Sequence, residues 1–81
     1  MAAETVRTAE ATEPDLSSPI SKALVVLDAV ALAESPPRFV DLLNALPLSR
    51  ATLHRQLRQL TREGMLAYDE VRQTYSIGMR V

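Results

Sequence analysis

The sequence predicts a mainly α-helical fold with a small β-hairpin, and three observations support that prediction. Between Pro19 and Leu60, apolar residues recur at steps of three and four, which is the period of amphipathic helices. After Gly64 the pattern changes to alternation, which is typical of strands. The chain has 81 residues, 47% of them hydrophobic and only 4% aromatic, which suits one small domain with an aliphatic core.

The two ends of the chain are expected to lie outside this domain. Residues 1–17 are rich in Ala, Glu and Thr, show no apolar period, and are predicted to be a disordered tail. The domain is predicted over residues 18–78, and residues 79–81 are expected to begin a linker. No stretch has the length of a membrane span or of the apolar part of a signal peptide, so we expect a soluble cytoplasmic protein.

Helix 1 is predicted from Pro19 to Glu34. Ser18 is a favourable N-cap residue, and proline suits the first helical position because its φ is already helical. The Ser-Pro-Pro segment at 35–37 ends the helix, because proline cannot continue the hydrogen-bond ladder. The residues expected to face the core are Ile20, Ala23, Leu24, Leu27, Val30 and Ala31.

A shorter helix 2 is predicted from Asp41 to Leu46, with Phe39 extended before it. Its start is poorly signalled, because Val40 is a weak N-cap residue. Pro47 ends it and leaves a tight connection to the next helix. The residues expected to face inward are Leu42, Leu43 and Leu46.

Helix 3 is predicted from Arg50 to Glu63. Ser49 is its N-cap residue, and Gly64 is expected to adopt the left-handed conformation that follows a helix. A single apolar stripe is formed by Leu53, Leu57 and Leu60.

A strand containing Leu66 and Tyr68, a polar turn at 70–73 and a strand containing Tyr75 and Ile77 complete the domain. Helices 2 and 3 are closely joined, as in a helix-turn-helix. With the hairpin after them, the sequence predicts a winged helix-turn-helix, which has three helices plus a two-stranded wing.

The outward side of helix 3 is basic, although the chain carries a net charge of −1. At about 100° per residue, Ala51, Arg55, Arg58 and Arg62 fall opposite the leucine stripe. Arginine can contact phosphates and can read guanine edges in the major groove. Exposed arginines also occur on solvated helices. The absence of acidic residues before Glu63 in this helix, and its place as the second helix of a tight pair, favour DNA binding.

The candidate DNA contacts share an exposed position on helix 3 or in the hairpin turn. They are Ser49, Arg50, Ala51, Thr52, His54, Arg55, Arg58, Arg62 and Arg72. The N-terminal half of helix 3 is favoured for contacts to bases, whereas His54 and Arg62 are expected to touch the backbone. Arg72 is either an ordinary turn residue or a wing contact. Without cysteine or a second histidine, the sequence predicts no metal site, cofactor or catalytic set.

The stretch from Leu48 onward resembles the N-terminal DNA-binding domain of IclR-type bacterial transcriptional regulators. That family shows a Gly-Leu-Pro-Lys-Ser-Thr-hydrophobic-His-Arg-Leu-Leu run, then a Glu-Gly step and a Tyr-x-Leu-Gly ending. The residues matching the run are Leu48, Thr52, Leu53, His54, Arg55, Leu57 and Leu60. The later matches are Glu63, Gly64, Leu66, Tyr75, Ile77 and Gly78, and the matches in helix 1 are Lys22, Ala23, Leu24 and Leu27.

At three positions the chain departs from the family's pattern. Gln56 stands where an apolar residue is usual, Val40 where Ser or Thr would cap helix 2, and Pro47 where the turn usually has glycine. These departures put the packing near Gln56 and the geometry of the turn in question.

The resemblance implies sequence-specific binding to a double-stranded DNA operator, with helix 3 in the major groove and the wing beside it. It also implies a homo-oligomer, a dimer or a tetramer, in the full-length regulator. A small-molecule effector would bind only through a C-terminal domain absent from this chain. The alternative is a winged-helix module that binds proteins and no nucleic acid, since fold alone does not decide function. An enzyme is not expected.

Overall fold

The computed structural model describes residues 17–79, which form three helices followed by a two-stranded antiparallel sheet. The helices are α1 (Pro19–Leu32), α2 (Phe39–Ala45) and α3 (Arg50–Arg62), and the strands are β1 (Leu66–Asp69) and β2 (Thr74–Ile77). The predicted winged helix-turn-helix is therefore confirmed. The expectations for residues 1–16 and 80–81 lie outside the described residues.

One aliphatic core joins the three helices to the sheet. Its buried side chains are Val26, Val30, Leu42, Leu53, Leu57, Leu60 and Leu66. Because α1 packs on α2, α3 and β2, and α3 packs on β1, all five elements share this core. Within residues 17–79, no helix combines the length and apolar character that a membrane crossing requires.

α1 begins where the sequence predicts. The Oγ atom of Ser18 accepts a long hydrogen bond of 3.4 Å from the backbone N–H of Ser21, and Pro19 occupies the first turn. The helix ends at Leu32 rather than at Glu34, because Ala33 is extended and its N–H bonds to the carbonyl of Val30.

The buried side of α1 is the predicted one in part: Val30 is buried, and Ala23 and Leu27 pack against the core. Val26, which the prediction left out, is buried together with Val30. Ile20 is 73% exposed and Leu24 57% exposed, and Ala31 is also exposed. Most sides of α1 carry apolar residues, so the period alone allows several orientations. The packing against α3 and the sheet selects the Val26 side.

α2 begins at Phe39, two residues before the predicted start, so Phe39 is helical rather than extended. Arg38 is the N-cap residue, and the carboxylate of Asp41 accepts a 2.9 Å hydrogen bond from its backbone N–H. Asp41, the third residue of α2, therefore provides an acceptor for the backbone N–H of the N-cap residue, and that residue is Arg38 rather than Val40. Leu42, Leu43 and Leu46 contact the core as predicted, and Phe39 packs against it as well.

The connection between α2 and α3 needs no glycine. Leu46 ends α2 in an extended conformation, with φ −115° and ψ 144°. Positive φ values occur within residues 17–79 only at Gly64 and Gln73. Since proline requires a negative φ, Pro47 is compatible with this turn.

α3 buries the predicted leucine stripe and ends at Arg62, one residue before the predicted end. Glu63 is its C-cap residue. Gly64 has the predicted left-handed conformation, with φ 82°, and the N–H of Met65 donates to the carbonyl of Leu60 at 2.9 Å. This pattern closes the helix end and directs the chain into β1.

The hairpin has the predicted turn at residues 70–73 and pairs Leu66 with Ile77. One contact joins it to the segment before α2. The N–H of Tyr75 donates to the carbonyl of Pro37 at 2.8 Å, and an isolated bridge pairs Arg38 with Thr74. The hairpin is thereby held beside the start of α2.

Candidate nucleic-acid interface

The first turn of α3 is held by Ser49 and Thr52. The Oγ atom of Ser49 accepts a 3.2 Å hydrogen bond from the N–H of Thr52, and its own hydroxyl donates to Thr52 Oγ1 at 3.0 Å. Ser49 is therefore a helix cap whose only donor is occupied. The hydroxyl hydrogen of Thr52 has no acceptor within residues 17–79, so it remains available at the end of α3.

The side of α3 opposite the buried leucines forms an exposed basic surface. We call its residues, Ala51, Arg55, Arg58 and Arg62, the arginine strip. It extends over about 16 Å along the helix axis. No carboxylate in the described part of the chain forms an ion pair with these arginines. The strip is thus a cationic surface that the described residues leave unneutralised.

Arg50 and His54 lie at the edge of α3 that contacts α2, and Phe39 joins them. The rings of Phe39 and His54 stack with centroids 4.1 Å apart and planes at 18°. The guanidinium carbon of Arg50 lies 5.5 Å from the centroid of Phe39. Both polar side chains remain exposed, so Phe39 orients them without burying them. A single aromatic residue has no periodicity, and the sequence therefore did not indicate this role.

Arg72 lies apart from α3, in the hairpin turn. Its side chain is 80% exposed, and one guanidinium nitrogen is 4.0 Å from a carboxylate oxygen of Asp69. The other oxygen of Asp69 accepts hydrogen bonds from the N–H groups of Val71 and Arg72. Ion pairs as exposed as this one are weak. The side chain of Arg72 can therefore turn towards a partner. Its exposure is compatible both with an ordinary turn residue and with a wing contact to DNA.

Two tyrosines line the inner side of the hairpin near its turn. Tyr68 and Tyr75 are cross-strand partners whose ring centroids are 4.8 Å apart. Burial, and then the charge of an ionised Tyr68, raise the pKa of Tyr75, so its hydroxyl keeps its proton at neutral pH. The alternating pattern indicated only that these residues lie in strands. Their position opposite α3 depends on the tertiary packing.

Eight of the nine predicted contact residues are exposed, and Thr52 is half-buried. All except Arg72 belong to α3 or its cap, so the structure brings eight of them together. Gln56, which stands where the family usually has an apolar residue, is half-buried.

Comparison with known protein families matched residues 19–70 to the IclR helix-turn-helix domain. No curated protein and no solved structure gave a match. The family match covers more than half of the chain and includes all three helices and β1. This domain family binds DNA in regulatory proteins and is not enzymatic. The chain therefore belongs to the IclR helix-turn-helix family of DNA-binding regulatory domains.

Proposed function

We propose that this domain binds a double-stranded DNA operator sequence-specifically and thereby regulates bacterial transcription in the cytoplasm. α3 would lie in the major groove, with the hairpin wing beside it. The arginine strip is the observation that carries this proposal, because it lies on the second helix of the pair without a carboxylate partner in the described chain. In helix-turn-helix proteins that helix enters the groove.

The geometry of α3 suits such an approach. A major groove about 12 Å wide admits an α-helix. Ala51 has a small side chain, which lets the N-terminal half of α3 come close to base edges. Thr52 and Arg55 flank it and supply a hydroxyl and a guanidinium to read those edges. His54 and Arg62 are proposed to contact the backbone.

We propose that the regulator binds as a homo-oligomer, and α1 offers a surface for a second copy. Ile20, Leu24 and Ala31 are exposed at spacings of four and seven, so they lie on one side of α1. That side is about a third of a turn away from Val26 and Val30, which face the core. A single module of this kind buries only roughly 600–1,000 Å² on DNA, so pairing would increase the interface.

DNA binding is tested by selecting duplexes from a random library and measuring affinity at several salt concentrations. Arg55→Ala should weaken binding to the selected duplex by about 1–3 kcal/mol and relax the sequence preference of the protein at one base pair. Arg55→Lys keeps the positive charge but cannot form the bidentate hydrogen bonds of a guanidinium group. Lys22→Ala, which removes a positive charge from α1, is the control and should retain the preference.

Two results would contradict the proposal. One is duplex binding that does not depend on salt, because phosphate contacts release counterions. The other is unchanged affinity in the double variant Arg55→Ala, Arg58→Ala. Salt-dependent binding to an acidic protein, with no affinity for any duplex, would instead support the protein-interaction module.

Oligomerisation is tested separately by sedimentation on the selected duplex. Leu24→Glu places a charge on the proposed contact and should leave one copy per DNA. Leu32→Glu is the matched control, because Leu32 is exposed and apolar but lies on another side of α1. If both variants assemble like the wild type, this surface is not the contact.

A further inference from the structure

An open hollow of about 410 Å³ separates α3 from the hairpin. From α3 it is lined by His54, Arg58 and Arg62, and from the hairpin by Tyr68 and Tyr75. The two sides come together because the leucines of α3 and Leu66 of β1 share the core, which brings the inner side of the hairpin against the helix. Two residues of the arginine strip therefore also form one wall of the hollow.

The polar groups of the hollow are mostly hydrogen-bond donors. Arg58 and Arg62 have no carboxylate partner in the described chain, and no acidic residue lines the hollow. The hydroxyls of Tyr68 and Tyr75 make no hydrogen bond to any residue from 17 to 79. A phenol is protonated at neutral pH, and burial raises the pKa of Tyr75 further above its ordinary value of 10.0, so its hydroxyl stays a donor. Two guanidinium groups and two phenol hydroxyls around one opening suit an anion with several acceptor oxygens.

The position of the hollow identifies the source of that anion. Arg58 and Arg62 belong both to the strip that faces the proposed major groove and to the wall of the hollow. If α3 lies in the groove as proposed, the DNA strand that borders the groove on the hairpin side would pass over this opening. The groups of that strand nearest to the protein are its phosphates.

We propose that this hollow binds one phosphate of the DNA backbone, with Arg58 and Arg62 on one side and the hydroxyls of Tyr68 and Tyr75 on the other. This inference rests on the proposed function, since it takes α3 to lie in the major groove. It makes Tyr68 and Tyr75 DNA contacts that fix the wing relative to the helix. They position the protein on the duplex and do not read its sequence.

The test measures variants of the residues that line the hollow, first on the unmodified duplex and then on duplexes in which one phosphate is made neutral. Tyr68→Phe keeps the ring and removes the hydroxyl, and since Tyr68 is 41% exposed this variant should fold. Affinity for the selected duplex should fall about tenfold, as expected for a hydrogen bond to a charged group. The slope of affinity against salt concentration should not change, because the hydroxyl that this variant removes carries no charge. Arg62→Ala should weaken binding similarly and lower that slope by about one.

Single methylphosphonate substitutions along the duplex then locate the phosphate. One position should weaken the wild type about tenfold and weaken Tyr68→Phe and Arg62→Ala much less, because those variants have already lost the contact. Ser76→Ala removes a hydroxyl from the outer side of β2 and is the matched control, which should respond like the wild type. Tyr75→Phe should show the same coupling as Tyr68→Phe.

The possible failures are distinguishable. If Arg55→Ala weakens duplex binding but no phosphate is coupled to Tyr68 or Arg62, the phosphate site is wrong and the proposed function stands. If no duplex binds the wild type, the proposed function and this inference are both wrong. Wild-type affinity in Tyr68→Phe, Tyr75→Phe and the double variant would also overturn the inference.

Discussion

Variants of Ser49 can distinguish its role as the N-cap residue of α3 from a role in DNA binding. Its hydroxyl donates to Thr52 Oγ1, and its oxygen accepts from the N–H of Thr52, so both bonds stay within the first turn of α3. Replacing an N-cap serine by alanine costs about 1 kcal/mol. For a domain of this size, that corresponds to a fall of about 4–8 °C in Tm. We expect this loss for Ser49→Ala, measured by circular dichroism during thermal and urea unfolding.

Ser49→Asp is the matched variant. Aspartate caps a helix as well as serine does, and its charge suits the positive end of the helix dipole. Its stability should therefore equal or exceed that of the wild type. Its DNA affinity should fall at least tenfold, because a carboxylate near a phosphate is repelled by about 4 kcal/mol at 4 Å and an effective dielectric constant of 20.

The combination of results decides whether this reasoning holds. A cap requires Ser49→Ala to lose stability and Ser49→Asp to keep it. Equal losses in both variants, or none in Ser49→Ala, would refute the role of the cap. An unchanged DNA affinity in Ser49→Asp would contradict the proposed approach of the N-terminal end of α3 to DNA.

Two further predictions concern the hairpin. A Cβ atom on Gly78 would overlap the backbone carbonyl oxygen of Gly64, so Gly78→Ala should lower the free energy of unfolding by about 1–3 kcal/mol in urea titrations. Gly64→Ala, whose cost comes from a positive φ rather than from overlap, is its comparison, and an unchanged Gly78→Ala would contradict this packing. Because the pKa of Tyr75 is raised above its ordinary value of 10.0, the folded state holds this proton longer than the unfolded state. The stability it contributes should be present below about pH 10 and decrease as the pH rises through the folded pKa. Unfolding measured from pH 8 to 11 should show a smaller decrease in Tyr75→Phe, and equal decreases would contradict the shift.

The features that depend only on neighbouring residues could be predicted from the sequence. Ser18 and Ser49 mark two helix starts, and Gly64 marks a helix end, because capping needs only the local backbone and one side chain. The leucine stripe of α3 could be predicted because the rest of that helix is polar. Only one side of the helix can therefore face the core. The arginine strip followed from the same period.

Features that depend on residues distant in the sequence follow from the tertiary packing instead. α1 is apolar on several sides, so packing against α3 and the sheet chose Val26 for the core and left Ile20 and Leu24 exposed. Likewise, α2 starts at Phe39 because Asp41 caps it and the preceding segment pairs with β2. The hollow between α3 and the hairpin joins residues from three elements, α3, β1 and β2. Its geometry comes from the shared core, which a local period does not encode.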